Sequence, residues 1–254
     1  MTDTALKNIV ALTLLSFSWI GGTAKSEEKA NIQPSIVQFG NYVLKHWRND
    51  QKLNKFNPPQ IITNISSSTQ VLGGCVSAVA GKISRDVGGT SYCPASNTIY
   101  VVPEQIIPLF TYFGPASTAY VLAHEYGHYI QAVLEIPSKP ILSELQADCL
   151  AGNILGQGYK ELEITPDDIV NMAMTAYSIG DPEHGTGAQR AYAVYAGFGY
   201  SKEISCSMED MKKLSGNKIS DPTFHELSKQ RSAGKRNEYG SQKYLKGISG
   251  SLGI

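Results

Sequence analysis

The residues with the clearest chemical potential in this chain are His124 and His128, which enclose Glu125 in the segment HEYGH. In a helix, residues four positions apart lie on the same face, one turn from each other. Two imidazoles at this spacing can bind one zinc ion, and the glutamate beside them can take a proton from a metal-bound water. The segment therefore predicts a hydrolytic zinc site, provided that it is helical and that a third ligand lies nearby.

The sequence around this motif favours a helix. Gly114-Pro115 precede a proline-free run from Ala116 to Glu135, in which apolar residues recur on one helical stripe. Gly127 lowers helix stability by about 1 kcal/mol relative to alanine, which indicates that another backbone approaches closely there. The motif is therefore predicted to lie in the middle of a helix that ends before Pro137.

A catalytic zinc ion needs a third protein ligand, and Glu144 is the next candidate. The extended metzincin pattern is absent, because Gln131 and Leu134 stand at the positions of its glycine and third histidine. Glu144 and Asp148 are four residues apart in a second predicted helix, so they share a face. Zinc-bound histidines usually donate their other N–H to a carboxylate. We therefore predict that Glu144 binds the metal and that Asp148 orients His124. In a chain without the two histidines, such a pair of acidic residues would more simply form an exposed helix face.

These motifs resemble those of the bacterial neutral zinc metallopeptidase family, whose members are similar to the thermolysin-like gluzincins in having HExxH followed by a glutamate one helix later. HEYGH followed by ELQADC carries the resemblance, and GC, SYCP, NTIY and DPEHGTGAQR (residues 74–75, 91–94, 97–100 and 181–190) extend it over about Lys55 to Cys206. The resemblance implies an α+β, zincin-like fold that is mainly helical, with a small antiparallel sheet beside the metal-binding helices. It also implies one catalytic Zn²⁺ ion.

The segment DPEHGTGAQR contains two further candidate site residues, His184 and Arg190. Thr186 and Gln189 form a capping box, which predicts a helix from Gly187 to about Gly197. His184, just before this helix, either donates to the oxyanion of a tetrahedral intermediate or is a buried structural histidine bonded to the backbone. Arg190 either pairs with an acid and braces the site or faces the solvent.

The amino end predicts export. Lys7 precedes an apolar run from Ile9 to Ile20, and Gly22-Thr23-Ala24 supplies small residues suited to cleavage after Ala24. The run is short for a membrane span, so residues 1–24 are interpreted as a signal peptide and the mature protein as periplasmic or secreted, without stable membrane insertion. Because Asp3 offsets the charge of Lys7, an uncleaved membrane anchor is the alternative.

The cysteine content fits an exported protein. In an oxidising compartment, four cysteines suggest two disulfides, for which three connectivities exist. We favour Cys75–Cys93, which closes a loop rich in glycine and serine, and Cys149–Cys206, which ties the helix of the third ligand to a later part of the chain.

Composition and periodicity complete the predicted organisation. Basic and acidic residues balance at 22 each, which provides no global field for nucleic acid. An N-terminal helix and polar connector (25–54) precede the metallopeptidase domain (55–206), and an extension (207–254) ends in a basic, partly disordered tail. The histidines outside the motifs, His46 and His225, are predicted to be surface residues. Helices are predicted at 36–47, 116–135, 141–155 and 166–179, and strands at 59–65 and 98–102, the latter being a candidate to pair with an extended substrate.

The sequence thus predicts an exported zinc peptidase that cleaves polypeptide substrates, with Glu125 as the general base. One alternative is a non-catalytic zinc protein that recognises polypeptides, although a structural zinc site gains little from a non-ligating acid beside the metal. Another is a zinc hydrolase of non-peptide amides, whose catalytic residues would look the same. Cleavage specificity and oligomeric state are not indicated by the sequence.

Overall fold

The computed structural model describes residues 32–63, 65–69, 77–79, 82–84 and 89–230. The predicted signal peptide (1–24), Cys75 and most of the basic tail (231–254) lie outside the described residues. None of the described helices combines the length and the apolar character needed to cross a bilayer.

Helices make up most of the described chain. They are α1 (32–49), α2 (Pro103–Phe113), α3 (Pro115–Val133), α4 (Pro140–Gln157), α5 (Pro166–Ser178), α6 (Gly187–Gly197), α7 (Met208–Ser215) and α8 (Pro222–Gln230). Helices α2 to α5 have a proline in their first turn, where its fixed φ suits the helix and its missing N–H costs no bond. Capping boxes begin α5 at Thr165 and α6 at Thr186. The predicted helices are confirmed, with ends that differ by a few residues.

Five short strands form two sheets: β1 (Gln60–Ile62), β2 (Ser77–Val79), β3 (Lys82–Ser84), β4 (Ser91–Cys93) and β5 (Thr98–Tyr100). The three-stranded sheet has the order β1-β5-β4, in which β1 pairs parallel and β4 antiparallel with β5. Strands β2 and β3 form an antiparallel pair. The mainly helical α+β class is confirmed, but the sheet that contains β5 is mixed rather than antiparallel.

The position of β5 overturns its predicted role as the strand that pairs with substrate. Both of its edges are already used, one by β1 and the other by β4, so its backbone cannot accept a further strand. Strand β4 lies at the edge of this sheet and contributes to the wall of the cleft described below.

Two hydrophobic clusters form most of the core, and α4 contributes side chains to both of them, whereas α3 contributes to the first. The first cluster joins α1 to the sheet and to α2, α3 and α5, with Phe39, Ile99 and Leu122 fully or almost fully buried. The second joins α4, α5 and α6 to the last two helices, and includes Leu145 and Tyr192. Since α3 contacts its neighbours on nearly every side, most of its residues are buried, including its polar ones. The polar side chains of α3 therefore lie largely inside the molecule.

The described part of the extension after Cys206 packs on this same core. Helices α7 and α8 bury Met211, Leu214, Phe224 and Leu227 in the second cluster. The apolar residues of these short helices thus contribute to the core that supports the site.

The two histidines outside the motifs differ in their surroundings. His225 is exposed, as predicted. His46 is half-buried instead, with its ring about 6 Å from the rings of Tyr42 and Tyr126. Burial lowers the pKa of His46, partly offset by Asp50.

Candidate metal centre and active site

The two predicted metal-binding helices pack against each other at Gly127. A Cβ atom at this position would lie 3.0 Å from both the Cα and the carbonyl oxygen of Ala147. Only glycine permits this approach without a shift of α3 from α4, which confirms that another backbone comes close to Gly127. The contact brings His124 and His128 on α3 against Glu144 on α4.

The side chains of His124, His128 and Glu144 form a compact triangle of possible ligand atoms. The two Nε2 atoms are 3.1 Å apart, and they lie 3.3 Å (His124) and 3.4 Å (His128) from oxygens of Glu144. Ligands bound tetrahedrally to zinc at about 2.0–2.1 Å are separated by about 3.4 Å. Among the described residues, this is the group of histidine, cysteine and acidic side chains that could hold a metal ion. Its donor types and spacing fit zinc.

Asp148 bonds to His124 from behind this triangle. Its Oδ1 lies 2.8 Å from Nδ1 of His124 and accepts a 2.5 Å hydrogen bond from the Tyr120 hydroxyl. The Arg190 guanidinium donates to both carboxylate oxygens, from Nε at 2.8 Å and from a terminal nitrogen at 3.0 Å. Asp148 is 0% exposed and Arg190 4% exposed, so this ion pair lies in the interior. Of the two alternatives for Arg190, the structure therefore selects the one in which it pairs with an acid and braces the site.

The carboxylates and the arginine give the centre its electrostatic character. Burial opposes the charge of Asp148, but Arg190 and His124 outweigh it and hold the pKa of that carboxyl below its usual range. Burial likewise opposes the charge of Glu144, whose pKa is lowered by its hydrogen bonds to His124 and His128. Burial also disfavours a charged His124, yet Asp148 and Glu144 raise its pKa to about 10. In the absence of metal, the centre thus stabilises positive charge on an imidazole, as a cation-binding site does.

Glu125 is held from the sheet side of the cleft. Its Oε2 accepts a 2.7 Å hydrogen bond from the backbone N–H of Tyr92 in β4. Among the described residues, its Oε1 has no hydrogen-bond partner. Burial raises the pKa of this carboxyl, and His124, His128 and the Tyr92 N–H offset part of the shift. A carboxylate with a raised pKa and an uncommitted oxygen beside a metal site is suited to proton transfer.

His184 stands at the rim rather than in the buried centre. Its side chain is 46% exposed, and its Nδ1 lies 2.8 Å from a carboxylate oxygen of Asp181. The backbone N–H groups of Glu183 and His184 also donate to Asp181, and a bridge from Asp181 to Gly185 closes the loop. The loop therefore fixes one side of the imidazole, and His184 is exposed rather than a buried structural residue.

Apart from the buried Asp148, these groups line one cleft of about 1120 Å³. The metal-binding triangle, Glu125, Arg190, Asp181 and His184 lie along it, opposite Ser91 and Tyr92 of β4. Apolar side chains complete its walls: Ile106, Leu109, Val121, Ile136 and Ile179. The cleft therefore combines polar groups around the centre with apolar surface, as small-molecule and peptide sites do.

One of the two predicted disulfides lies next to the centre. Cys149 follows Asp148 on α4 and is bonded to Cys206, with Cα atoms 5.4 Å apart, which confirms that predicted bridge. Cys93 is also disulfide-bonded, and its predicted partner Cys75 lies outside the described residues.

Sequence reasoning missed several groups that contact the site. Tyr120 lies one helical turn before His124, and Gln131 lies three residues after His128, with its Oε1 2.8 Å from Nδ1 of that histidine. Their spacing places both residues on the helix face of the motif, because positions three or four apart share a face, but it does not specify the bonds that they form. The N–H of Tyr92 has no comparable signal, since any residue supplies a backbone N–H.

A comparison with known families gives the same assignment over the first half of the chain. Residues 22–142 match the model of the family described as "Putative neutral zinc metallopeptidase". The matched range contains His124, Glu125 and His128 and ends two residues before Glu144. The third ligand and its supporting residues are therefore identified by the geometry and not by the match.

The chain is also similar to curated bacterial proteins. It is 28% identical over 200 residues to the uncharacterized proteins Mb2605 of Mycobacterium bovis and Rv2575 of Mycobacterium tuberculosis, a region that covers 63% of this chain and 64% of each relative. It is 26% identical over 158 residues to the uncharacterized protein YpfJ of Escherichia coli K12, covering 48% of this chain and 55% of that protein. The chain thus spans less than two thirds of the length of these relatives, and no solved structure matches it. The resemblance predicted from the HEYGH motif is confirmed over residues 22–142, which match the model of the neutral zinc metallopeptidase family.

Proposed function

We propose that the chain is an exported, zincin-like zinc peptidase that hydrolyses peptide bonds in its cleft. The observation that carries the proposal is the triangle of His124, His128 and Glu144, with the buried carboxylate of Glu125 beside it. A purely structural zinc site is normally closed by a fourth protein ligand. Among the described residues, the metal-binding group contains three members, which leaves a position for water.

The residues of the chain divide the chemical work. A bound zinc ion supplies Lewis acidity and lowers the pKa of a coordinated water towards about 7. Glu125 accepts the proton of the attacking water on its free Oε1 and passes it to the leaving amine nitrogen, while the Tyr92 N–H holds Oε2. His184 donates its Nδ1–H to Asp181 at the rim, and as an imidazolium it donates a second hydrogen bond, from its Nε2–H, to the developing oxyanion.

Two features support export as part of the proposal. The amino end has the three parts of a secretory signal. The Cys149–Cys206 bridge is of the kind that persists in oxidising compartments and is rare in the cytosol of mesophiles.

The function is tested with the full-length, zinc-loaded protein, an unfolded polypeptide substrate and the variant Glu125→Gln. The matched control is Glu135→Gln, the same chemical change at an exposed position just after α3. We expect the parent and Glu135→Gln to cut the substrate, Glu125→Gln to bind zinc without cutting, and a chelator to abolish all cleavage. Zinc bound at one ion per chain, with no cleavage by the parent, would contradict the proposal and favour a polypeptide-binding protein or a hydrolase of non-peptide amides.

A further inference from the structure

A polar relay on the far side of His128 connects this residue to the disulfide-linked part of the chain. Nδ1 of His128 lies 2.8 Å from Oε1 of Gln131, whose Nε2 donates to the carbonyl oxygen of Ser143 at 2.8 Å and to Oε1 of Gln146 at 3.0 Å. Nε2 of Gln146 donates in turn to the carbonyl oxygen of Cys206 at 2.9 Å. Gln131 is 8% and Gln146 5% exposed, so water cannot readily replace these bonds.

The two backbone carbonyls fix the direction of every bond in this relay. A carbonyl oxygen can only accept, so the amide group that faces Ser143 must be the NH₂ of Gln131. The carbonyl of Cys206 requires the same of Gln146, whose oxygen is then turned towards Gln131. Both anchors place the oxygen of Gln131 against His128, and this oxygen needs a hydrogen on Nδ1.

We propose that Gln131, anchored by Ser143, Gln146 and Cys206, is the positioning residue that fixes the Nδ1–H tautomer of His128. The Nε2 lone pair is then directed to the point where Nε2 of His124 and the Glu144 carboxylate converge. The inference rests on the metal centre of the proposed function. It adds a second support for the ligands: Asp148, an anion, orients His124, whereas a neutral amide orients His128.

The Cys149–Cys206 bridge belongs to the same arrangement. It ties Cys206 to α4 only three residues after Gln146, which keeps the final carbonyl of the relay within reach of that amide. The relay therefore connects α3, α4 and the segment before α7 by a chain of hydrogen bonds whose last acceptor, Oε1 of Gln131, contacts His128.

The test measures zinc affinity by competition with a chromophoric chelator, so it does not depend on peptidase activity. Gln131→Met keeps a side chain of similar length but removes the acceptor, and we expect zinc affinity to fall by about 10- to 100-fold. Gln131→Glu keeps the acceptor for His128 but replaces the donor with a charged carboxylate oxygen that faces the carbonyl oxygen of Ser143. It should still bind zinc much more tightly than Gln131→Met, because the acceptor for Nδ1–H remains. Gln146→Met should cause a smaller loss, because Ser143 still anchors Gln131.

The matched control is Gln157→Met, the same change at an exposed glutamine on α4, which should leave zinc affinity unchanged.

Long-range ¹H–¹⁵N correlation spectra of the zinc-loaded protein give a second readout. The Nδ1–H signal of His128 should be protected from exchange in the parent and in Gln131→Glu, and lost by exchange in Gln131→Met. Parent-like zinc binding by Gln131→Met, or equal losses in the Met and Glu variants, would overturn the proposal. A parent that binds zinc but cleaves no polypeptide, with the zinc affinities of the variants in the expected order, would instead count against the proposed peptidase and leave the role of Gln131 intact.

Discussion

Asp148 shows how one side chain serves both the chemistry and the fold. Its Oδ1 contacts Nδ1 of His124, and the same carboxylate neutralises the buried guanidinium of Arg190. A histidine oriented by a carboxylate is a better zinc ligand, whereas a buried arginine without its partner is strongly destabilising. The two effects should therefore appear together when the charge is removed.

We expect Asp148→Asn to weaken zinc binding by about 10- to 100-fold, since His124 loses its anionic partner. The same substitution should lower the free energy of unfolding by about 3–5 kcal/mol, because Arg190 remains buried without a counterion. Chelator competition measures the first effect and denaturant unfolding of the metal-free protein the second. Asp167→Asn, an exposed carboxylate in the first turn of α5, serves as the control with little change in either. Zinc affinity equal to that of the parent would refute the role of Asp148.

At the scale of the elements, the contact between α3 and α4 determines whether the ligands meet. Gly127 lies against the backbone of Ala147, so a methyl group there must push the two helices apart. We expect Gly127→Ala to be destabilising, because overpacking costs about 1–3 kcal/mol and outweighs the gain of about 1 kcal/mol from helix propensity. Zinc affinity should fall as well, since Glu144 moves away from the histidines.

A glycine in α1 provides the matched control for this substitution. A Cβ atom at Gly40 would meet only the Cδ1 atom of Ile61 at 3.5 Å, an ordinary contact. Gly40→Ala should therefore raise the free energy of unfolding by up to about 1 kcal/mol, with zinc affinity unchanged. If Gly127→Ala raised the free energy of unfolding to the same extent, the contact at Gly127 would not set the distance between α3 and α4.

The helices, and the three residues that could hold a metal ion, were predictable from the sequence because their signals are local. Proline at the start of α3, α4 and α5, and apolar residues at helical spacing, define elements that tertiary contacts then preserve. The mixed sheet was not predictable, since three-residue strands carry too little periodicity to indicate their partners or direction. For the same reason the sequence does not indicate that β5 is paired on both sides, which leaves no free edge for a substrate.

Within the site, predictability followed the kind of contact. Asp148 could be assigned because a zinc-bound histidine calls for a carboxylate at a suitable spacing. Gln131 was seen only as a departure from the metzincin pattern, and its bond to His128 depends on a side-chain rotamer that the sequence does not specify. The bond from the N–H of Tyr92 to Glu125 joins strand to helix across 33 residues, and no residue type marks it.

At the scale of the whole molecule, the Cys149–Cys206 bridge links the centre of α4 to the segment before α7, across 57 residues of sequence. A cross-link over a loop of this length stabilises the fold by about 4 kcal/mol in the chain-entropy model. We expect the double substitution Cys149→Ala/Cys206→Ala to lower the free energy of unfolding by about 4 kcal/mol, measured by denaturant unfolding under non-reducing conditions. An unfolding midpoint equal to that of the parent would show that the packing of α7 and α8 alone holds this region.

The close contacts on the two sides of α4 also bear on which ions the centre can accept. Gly127 on α3 meets Ala147, and Gly197 on α6 meets the carbonyl of Cys149, so backbone atoms without rotamers fix α4 from both directions. The helices cannot separate without breaking these backbone contacts. His124, His128 and Glu144 could therefore lengthen their bonds to a larger ion only by changing side-chain rotamers. The centre should therefore discriminate by ionic size, taking zinc or cobalt readily and refusing calcium, which demands six to eight oxygen ligands at about 2.3–2.6 Å.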